Sequence, residues 1–329
     1  MKGKYQIIVE NKRIKYDFEI KRNITVIKGD SATGKTTLID MISEYEQDGD
    51  DSGIRLQCEK ECRVLSGKRW KTILDTIHES IIFIDEGNSF ISSKEFANAV
   101  KKSDNYFVLV TRESLSVLPY SVEEIYGIRN SGKYGKLKRT YNEMYRIYSD
   151  FNPKEEISPE VVITEDSKSG YQFFENITRK SHIKCISANG KSNIYDRLCE
   201  NKGKKLLIIA DGAAFGPEME KVMSFIKKES DCNLYLPESF EWLILKSGII
   251  KITNISDILE NTWNYIESTE YISWERYFTM LLVENTKDTY LSYNKSELNV
   301  AYVDGSIRKS ILEQMKQIKL LDLEERENL

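Results

Sequence analysis

Apolar and polar positions alternate over residues 4–10 and again over 12–20, the two-residue period of half-buried strands, with a turn near Asn11-Lys12. A short apolar run at 23–28 predicts a third strand, and the helical spacing after it predicts a helix from Thr36 to about Tyr45. The acidic stretch Glu46–Asp51 reads as a solvated turn, followed by short strands near 54–58 and 63–65 and a helix near 68–78. Residues 81–84 (IIFI) and 106–110 (YFVLV) are apolar throughout, as expected of strands buried on both faces, with a helix near 93–102 between them. Segments 122–130 and 135–142 read as a second hairpin around Ser131-Gly132-Lys133.

Two prolines and a charge cluster at 149–159 mark a domain boundary. A fresh alternation then begins, with strands at 160–164, 183–187, 205–210 and 232–236 and helices at 168–180, 192–200 and 216–229. That spacing predicts a second, smaller parallel sheet. From 237 the pattern is mostly helical. The expected fold is therefore α/β in two domains, 1–150 and 160–236, with a helical region over 237–329.

Composition narrows the function classes. With 40% hydrophobic and 30% charged residues the chain has the makings of a globular core rather than of a disordered segment. A net charge of −4 argues against a surface that binds nucleic acid throughout and leaves room for a local basic patch. No apolar run approaches the ~18 residues of a membrane helix, and the first twenty residues read as strands rather than a signal peptide. Cys58, Cys62, Cys185, Cys199 and Cys232 form no CxxC pair, which predicts isolated thiols in a reducing cytoplasm. His78 and His182 are too few for histidine-rich metal chemistry.

The chemistry is concentrated in Gly29-Asp30-Ser31-Ala32-Thr33-Gly34-Lys35-Thr36, a full match to GxxxxGK[ST] between a strand and a helix, with Thr37 next. Two glycines let the loop turn around a phosphate, successive backbone N–H groups form an anion nest, and the helix adds its positive end. Lys35 is placed to reach the β- and γ-phosphates and the Thr36 hydroxyl to ligate Mg²⁺. The strand 81–84 ends in Asp85-Glu86, a metal-holding carboxylate and a base for the attacking water. Lys35 and Glu86 are thus the expected catalytic residues, and Thr36 and Asp85 the expected Mg²⁺ ligands. Thr111 and Arg112, at the tip of the next buried strand, are placed to sense a γ-phosphate or simply to end a strand. ATP is expected over GTP because no Asn-Lys-x-Asp motif is present.

Residues 5–112 resemble a compact ABC/AAA-type P-loop ATPase, on the strength of Gly29–Thr36 and Ile81–Glu86. Leu65-Ser66-Gly67 is similar to a truncated ABC signature, but with Lys68 and Arg69 where a glycine and glutamine would follow it reads rather as an ordinary strand-to-helix turn. Residues 160–236 resemble a Toprim domain. The strand 161–164 ends in Glu165-Asp166, the strand 206–210 ends in Asp211, and Glu238 and Glu241 follow a later strand. That resemblance implies a divalent ion on Glu165, Asp166 and Asp211. Its usual Asp-x-Asp is here Asp211-Gly212-Ala213, which lacks one acid. Together the two resemblances imply a fused ATPase similar to overcoming-lysogenisation-defect proteins and anti-phage defence ATPases, cytoplasmic and homo-oligomeric, acting with DNA, RNA or a partner protein. A nucleotide-dependent switch or scaffold with an inactive second domain is the competing expectation, and a small-molecule P-loop kinase a third. Tyrosines over 120–148, interleaved with Lys133, Lys136, Lys138 and Arg139, read as a nucleic-acid surface or as a structural hairpin.

Overall fold

The computed structural model describes residues 1–29, 33–130, 140–149, 155–179, 181–229 and 231–320. They form two compact units. The first comprises Met1–Ser149 with Asn261–Ile272, and the second Asp150–Glu260 with Ser273–Leu329.

Strands of the first unit differ by how many faces they bury. β1 (Tyr5–Glu10) and β2 (Ile14–Ile20) alternate buried with more exposed positions and pair antiparallel. By contrast β3 (Ile24–Ile27), β6 (Ile81–Ile84) and β7 (Tyr106–Val110) are buried at every residue, which is why they read as continuous apolar runs. With β4 (Arg55–Gln57), β5 (Cys62–Val64), β8 (Ile125–Asn130) and β9 (Thr140–Arg146) they form a nine-stranded mixed sheet ordered β4-β1-β2-β9-β8-β3-β7-β6-β5. The stretch β8-β3-β7-β6-β5 is parallel throughout.

Helix α1 (Lys35–Asp48) lays Leu38, Ile39, Met41 and Ile42 on that sheet. It runs past the predicted end at Tyr45 and passes into a 3₁₀ turn over Gly49–Ser52. The acidic stretch is therefore not a mere solvated turn. The Glu46 carboxylate accepts from Val64 N at 2.8 Å and pairs with Arg63 at 2.7 Å, clamping the helix to β5. Helix α2 (Trp70–Leu74) is shorter than predicted, and α3 (Lys94–Lys102) is capped by Ser93, whose hydroxyl accepts from Phe96 N. The first segment of the predicted second hairpin begins with a 3₁₀ turn over Val122–Glu124, and β9 runs on to Arg146, past the predicted end at 142.

The second unit holds the predicted parallel sheet. β10 (Val161–Thr164), β11 (Lys184–Ser187), β12 (Leu206–Ile209) and β13 (Cys232–Tyr235) are ordered β11-β10-β12-β13. Helices α4 (Ser169–Thr178), α5 (Ile194–Glu200) and α6 (Met219–Ile226) connect them. The chain leaves β10 for β11 on one side and β12 for β13 on the other, so a crevice opens beyond the carboxyl ends of the two central strands. Helices α7 (Phe240–Lys246), α8 (Ile255–Glu260), α9 (Trp274–Thr286) and α10 (Gly305–Leu312) complete the unit. Among the described residues, the regular elements after 237 are all helices, and Asn261–Ile272 belongs to the first unit. No helix among the described residues is long and apolar enough to cross a membrane.

Candidate functional site

In the first unit, the loop between β3 and α1 begins at Gly29 with φ 136° and ends at Gly34 with φ 92°, backbone that side-chain-bearing residues rarely adopt. A Cβ on Gly34 would lie 2.9 Å from the Tyr16 hydroxyl and 3.2 Å from Asn142 Nδ2, so sterics close that position too. The Tyr16 hydroxyl donates to Gly34 O at 2.7 Å, tying the loop to β2. Lys35 opens α1 and is only 5% exposed. Its Nζ donates to Gly29 O at 2.7 Å and to Thr33 Oγ1 at 3.1 Å, which centres the ammonium on the loop. Thr36 is exposed and Thr37 half-buried, while Asp30, Ser31 and Ala32 lie outside the described residues.

Register brings the other predicted groups to the same sheet edge. Ile84 faces Leu109 and Val110 faces Ile27 in parallel pairs, so Asp85, Thr111 and the Gly29 loop all leave their strands at the carboxyl end. Since β7 separates β3 from β6, Asp85 is two strand spacings from the loop strand, about 10 Å. Asp85 Oδ1 accepts from Glu86 N at 2.8 Å. Glu86 is bound by Arg112 in a two-pronged ion pair, with Nε at 2.9 Å and Nη2 at 2.8 Å. Thr111 turns its hydroxyl to its own backbone, where it accepts from Glu113 N at 3.0 Å. Asn88 accepts from Gly67 N at 3.0 Å and donates to Asp85 O at 3.1 Å, joining the Leu65-Ser66-Gly67 turn to the loop after β6.

In the second unit a pocket of about 30 Å³, ample for a water and far too small for a nucleotide, opens at the crevice beyond β10 and β12. Glu165 and Asp166 follow β10 and Asp211 follows β12, so the predicted acids do meet there. Glu165 Oε2 accepts from Asp211 N at 3.1 Å, and Lys168 N donates to Asp166 Oδ1 at 3.3 Å. Glu241, near the start of α7, lines the same pocket and is 1% exposed. Glu275, near the start of α9, and Lys295 were not found from sequence. An acid in the first turn of a helix reads as a dipole partner, and Lys295 sits in a stretch without periodicity.

Lys295 Nζ is 3.2 Å from Glu241 Oε1 and 2.5 Å from Glu275 Oε1. Among the described residues, no three His, Cys, Asp or Glu side chains are arranged to hold a metal ion. The expected divalent ion on Glu165, Asp166 and Asp211 meets a rival in this pocket, the ammonium of Lys295, which pairs with the neighbouring Glu241 and Glu275. Gly212 is needed for close approach to the chain itself. A Cβ there would lie 3.0 Å from both Leu236 O and Pro237 O. Ala213 follows it at 2% exposure.

Burial dominates the pocket's electrostatics. Although Glu165 and Asp211 keep some solvent contact, desolvation raises both, Glu165 to about 7 and Asp211 well above the carboxylate range. Neighbouring Glu275 adds to each shift. Burial also raises Asp166 and lowers Lys191, whose Nζ donates to Ala214 O at 2.6 Å. For Lys295 burial opposes the charge, but Glu241, Asp211 and Glu275 outweigh it and hold the ammonium above its usual value.

Other expectations fall differently. Lys133, Lys136, Lys138 and Arg139 lie outside the described residues. Of the hairpin tyrosines Tyr120 is buried and Tyr145 packs under Arg129, 5.0 Å from ring centre to guanidinium. Cys58 and Cys62 are not isolated from each other. A hydrogen bond from Cys62 lowers Cys58 to about 7, while Cys62 is pushed up. Comparison with known proteins gives no matching family model and no similar curated protein.

Proposed function

We propose that the first unit binds ATP with Mg²⁺ at the carboxyl edge of its sheet and hydrolyses it, and that nucleotide state sets the state of the second unit. The supporting observation is the burial of Lys35 inside a loop bounded by two left-handed glycines, on the sheet edge that also carries Asp85 and Glu86. The loop N–H groups and Lys35 receive the β- and γ-phosphates, Nζ exchanging Gly29 O and Thr33 Oγ1 for phosphate oxygens. When bound, Mg²⁺ spreads the charge that develops on the γ-phosphate. Thr36 and Asp85 are the groups to hold it, and the two-strand separation leaves room for the phosphate and its waters. Glu86 orients the attacking water once its carboxylate leaves Arg112, and Arg112 turns to face the γ-phosphate.

Phosphate release from ATP tests this reading. Lys35→Ala abolishes nucleotide binding, whereas Glu86→Gln keeps binding and slows turnover about 100-fold or more. A wild-type rate in Glu86→Gln rejects the assignment, and phosphate transfer to a small acceptor would replace it with a kinase.

The nucleotide-dependent switch or scaffold remains the second reading. It is favoured by Ala213, which supplies no acid where a two-metal centre would need one. On either reading the proposed setting is cytoplasmic defence against phage or mobile elements by a homo-oligomer, an analogy of architecture. Stimulation of phosphate release by DNA or RNA would identify the partner. Cleavage of plasmid or transfer RNA with Mg²⁺ or Mn²⁺, lost in Glu165→Ala and Asp211→Ala, would reject the scaffold.

A further inference from the structure

A set of carboxylates gathered in a crevice repels itself unless a cation joins it. Asp211, Glu241 and Glu165 line one pocket with Lys295 in the second unit, and Glu275 reaches its ammonium. That ammonium lies 3.2 Å from Glu241 and 2.5 Å from Glu275. Its placement is built rather than incidental. Lys295 O accepts from Ser169 N at 3.0 Å at the start of α4, and Gln172 bonds both Ser296 O and Leu298 N. Two residues earlier, Tyr293 donates its hydroxyl to Glu241 Oε1 at 2.7 Å and accepts from Ser169 Oγ at 2.6 Å. Tyr293 N donates to Thr286 Oγ1 at the end of α9. The backbone on both sides of Lys295 is thus pinned, and its side chain is 23% exposed. Glu241 Oε2, fully buried, has no hydrogen-bond partner among the described residues, so the cluster retains an acceptor beyond those that Lys295 and Tyr293 engage.

We propose that Lys295 is the resident cation of this pocket, occupying with its own ammonium the place among Asp211, Glu241 and Glu275 that such a carboxylate set would otherwise give to a divalent metal ion. The second unit is then metal-independent, and Lys295 is a positioning residue that holds α7 and α9 at the strand ends. The inference is separate from the ATPase reading, because it concerns only the second unit and is tested without nucleotide.

The experiment is Mn²⁺ titration of the full chain, free of nucleotide, followed by electron paramagnetic resonance. In the wild type, Glu241→Gln and Asp211→Asn leave Mn²⁺ binding unchanged. Lys295→Met gains one Mn²⁺ site at least tenfold tighter than any in the wild type, and adding Asp211→Asn removes it. Lys295→Arg, which keeps the charge, gains none. A wild-type Mn²⁺ site that Asp211→Asn or Glu241→Gln abolishes overturns the proposal, and so does a folded Lys295→Met protein that gains no site. Should Lys295→Met fail to fold, the wild-type and single-carboxylate arms still decide it.

Discussion

Glu124 is the most completely enclosed acid among the described residues of the first unit, 0% exposed, with Arg22 Nε at 3.6 Å and hydroxyls of Thr25 and Tyr126 at 3.5 and 3.4 Å. Burial raises it to about 7 although Arg22 pulls the other way. A group that binds its proton more tightly when folded stabilises the fold below its unfolded value and loses that contribution as pH rises through its folded one. Glu124 therefore contributes roughly 3 kcal/mol near pH 4.5 that is gone above about 7. Glu124→Gln should flatten that part of the stability profile between pH 4.5 and 7, measured by urea unfolding against wild type. An unchanged slope would mean that Glu124 is ionised throughout. Gly212 gives a second residue-scale test. The Cβ of Gly212→Ala meets two backbone carbonyl oxygens at 3.0 Å, and neither can swing aside. A loss of about 1–3 kcal/mol in thermal unfolding is expected, and a neutral effect would show that the 236–237 segment yields.

At the scale of elements, helix starts do more than begin helices. Ser239, 0% exposed, accepts from Trp242 N at 3.2 Å and so fixes the first turn of α7, the turn that carries Glu241. Ser239→Ala should cost about 1 kcal/mol in equilibrium unfolding, and a difference indistinguishable from zero would mean that packing alone sets that turn. The parallel strands were legible because burial on both faces leaves a run such as Ile81–Ile84 or Leu206–Ile209 with no polar residue. The loop of Gly29–Thr36 was legible because its backbone demands glycine at two fixed places. Glu165, Asp211 and Glu241 were legible as acids next to strand ends. Glu275 and Lys295 were not, because they reach the pocket through tertiary packing of distant segments rather than through any local pattern. The extension of α1 through Asp48 was missed for a related reason, since Glu46 is held by Arg63 and Val64 across the chain rather than by helical propensity.

For the whole molecule, the return of Asn261–Ile272 to the first unit matters most. This segment is polar and aperiodic in sequence, yet it is anchored closely. Gly3 N donates to Trp263 O at 2.9 Å, Asn23 Nδ2 to Ile272 O at 3.0 Å, and the N-terminal amine pairs with Glu267. The Trp263 ring lies 5.2 Å from Lys4 Nζ and 5.3 Å from Lys21 Nζ. A fragment ending at Ser149 should therefore melt lower than the same fragment with 261–272 joined to it by a flexible linker. Equal melting of the two in calorimetry would show the segment to be dispensable. The same segment ends at Ile272, three residues before Glu275 in the chain.

The strap at 261–272 also bears on how this chain can change over generations. Two domains strung end to end can be exchanged as cassettes, because one crossover between them gives each descendant a whole copy of both. Here the backbone passes between the units after 149, after 260 and after 272. A single recombination event near residue 150 would give a descendant whose first unit carries a strap inherited from a different parent. The two halves are bound to a common ancestry, and substitutions around Met1, Lys4 and Asn23 have to be tolerated by residues more than two hundred positions away.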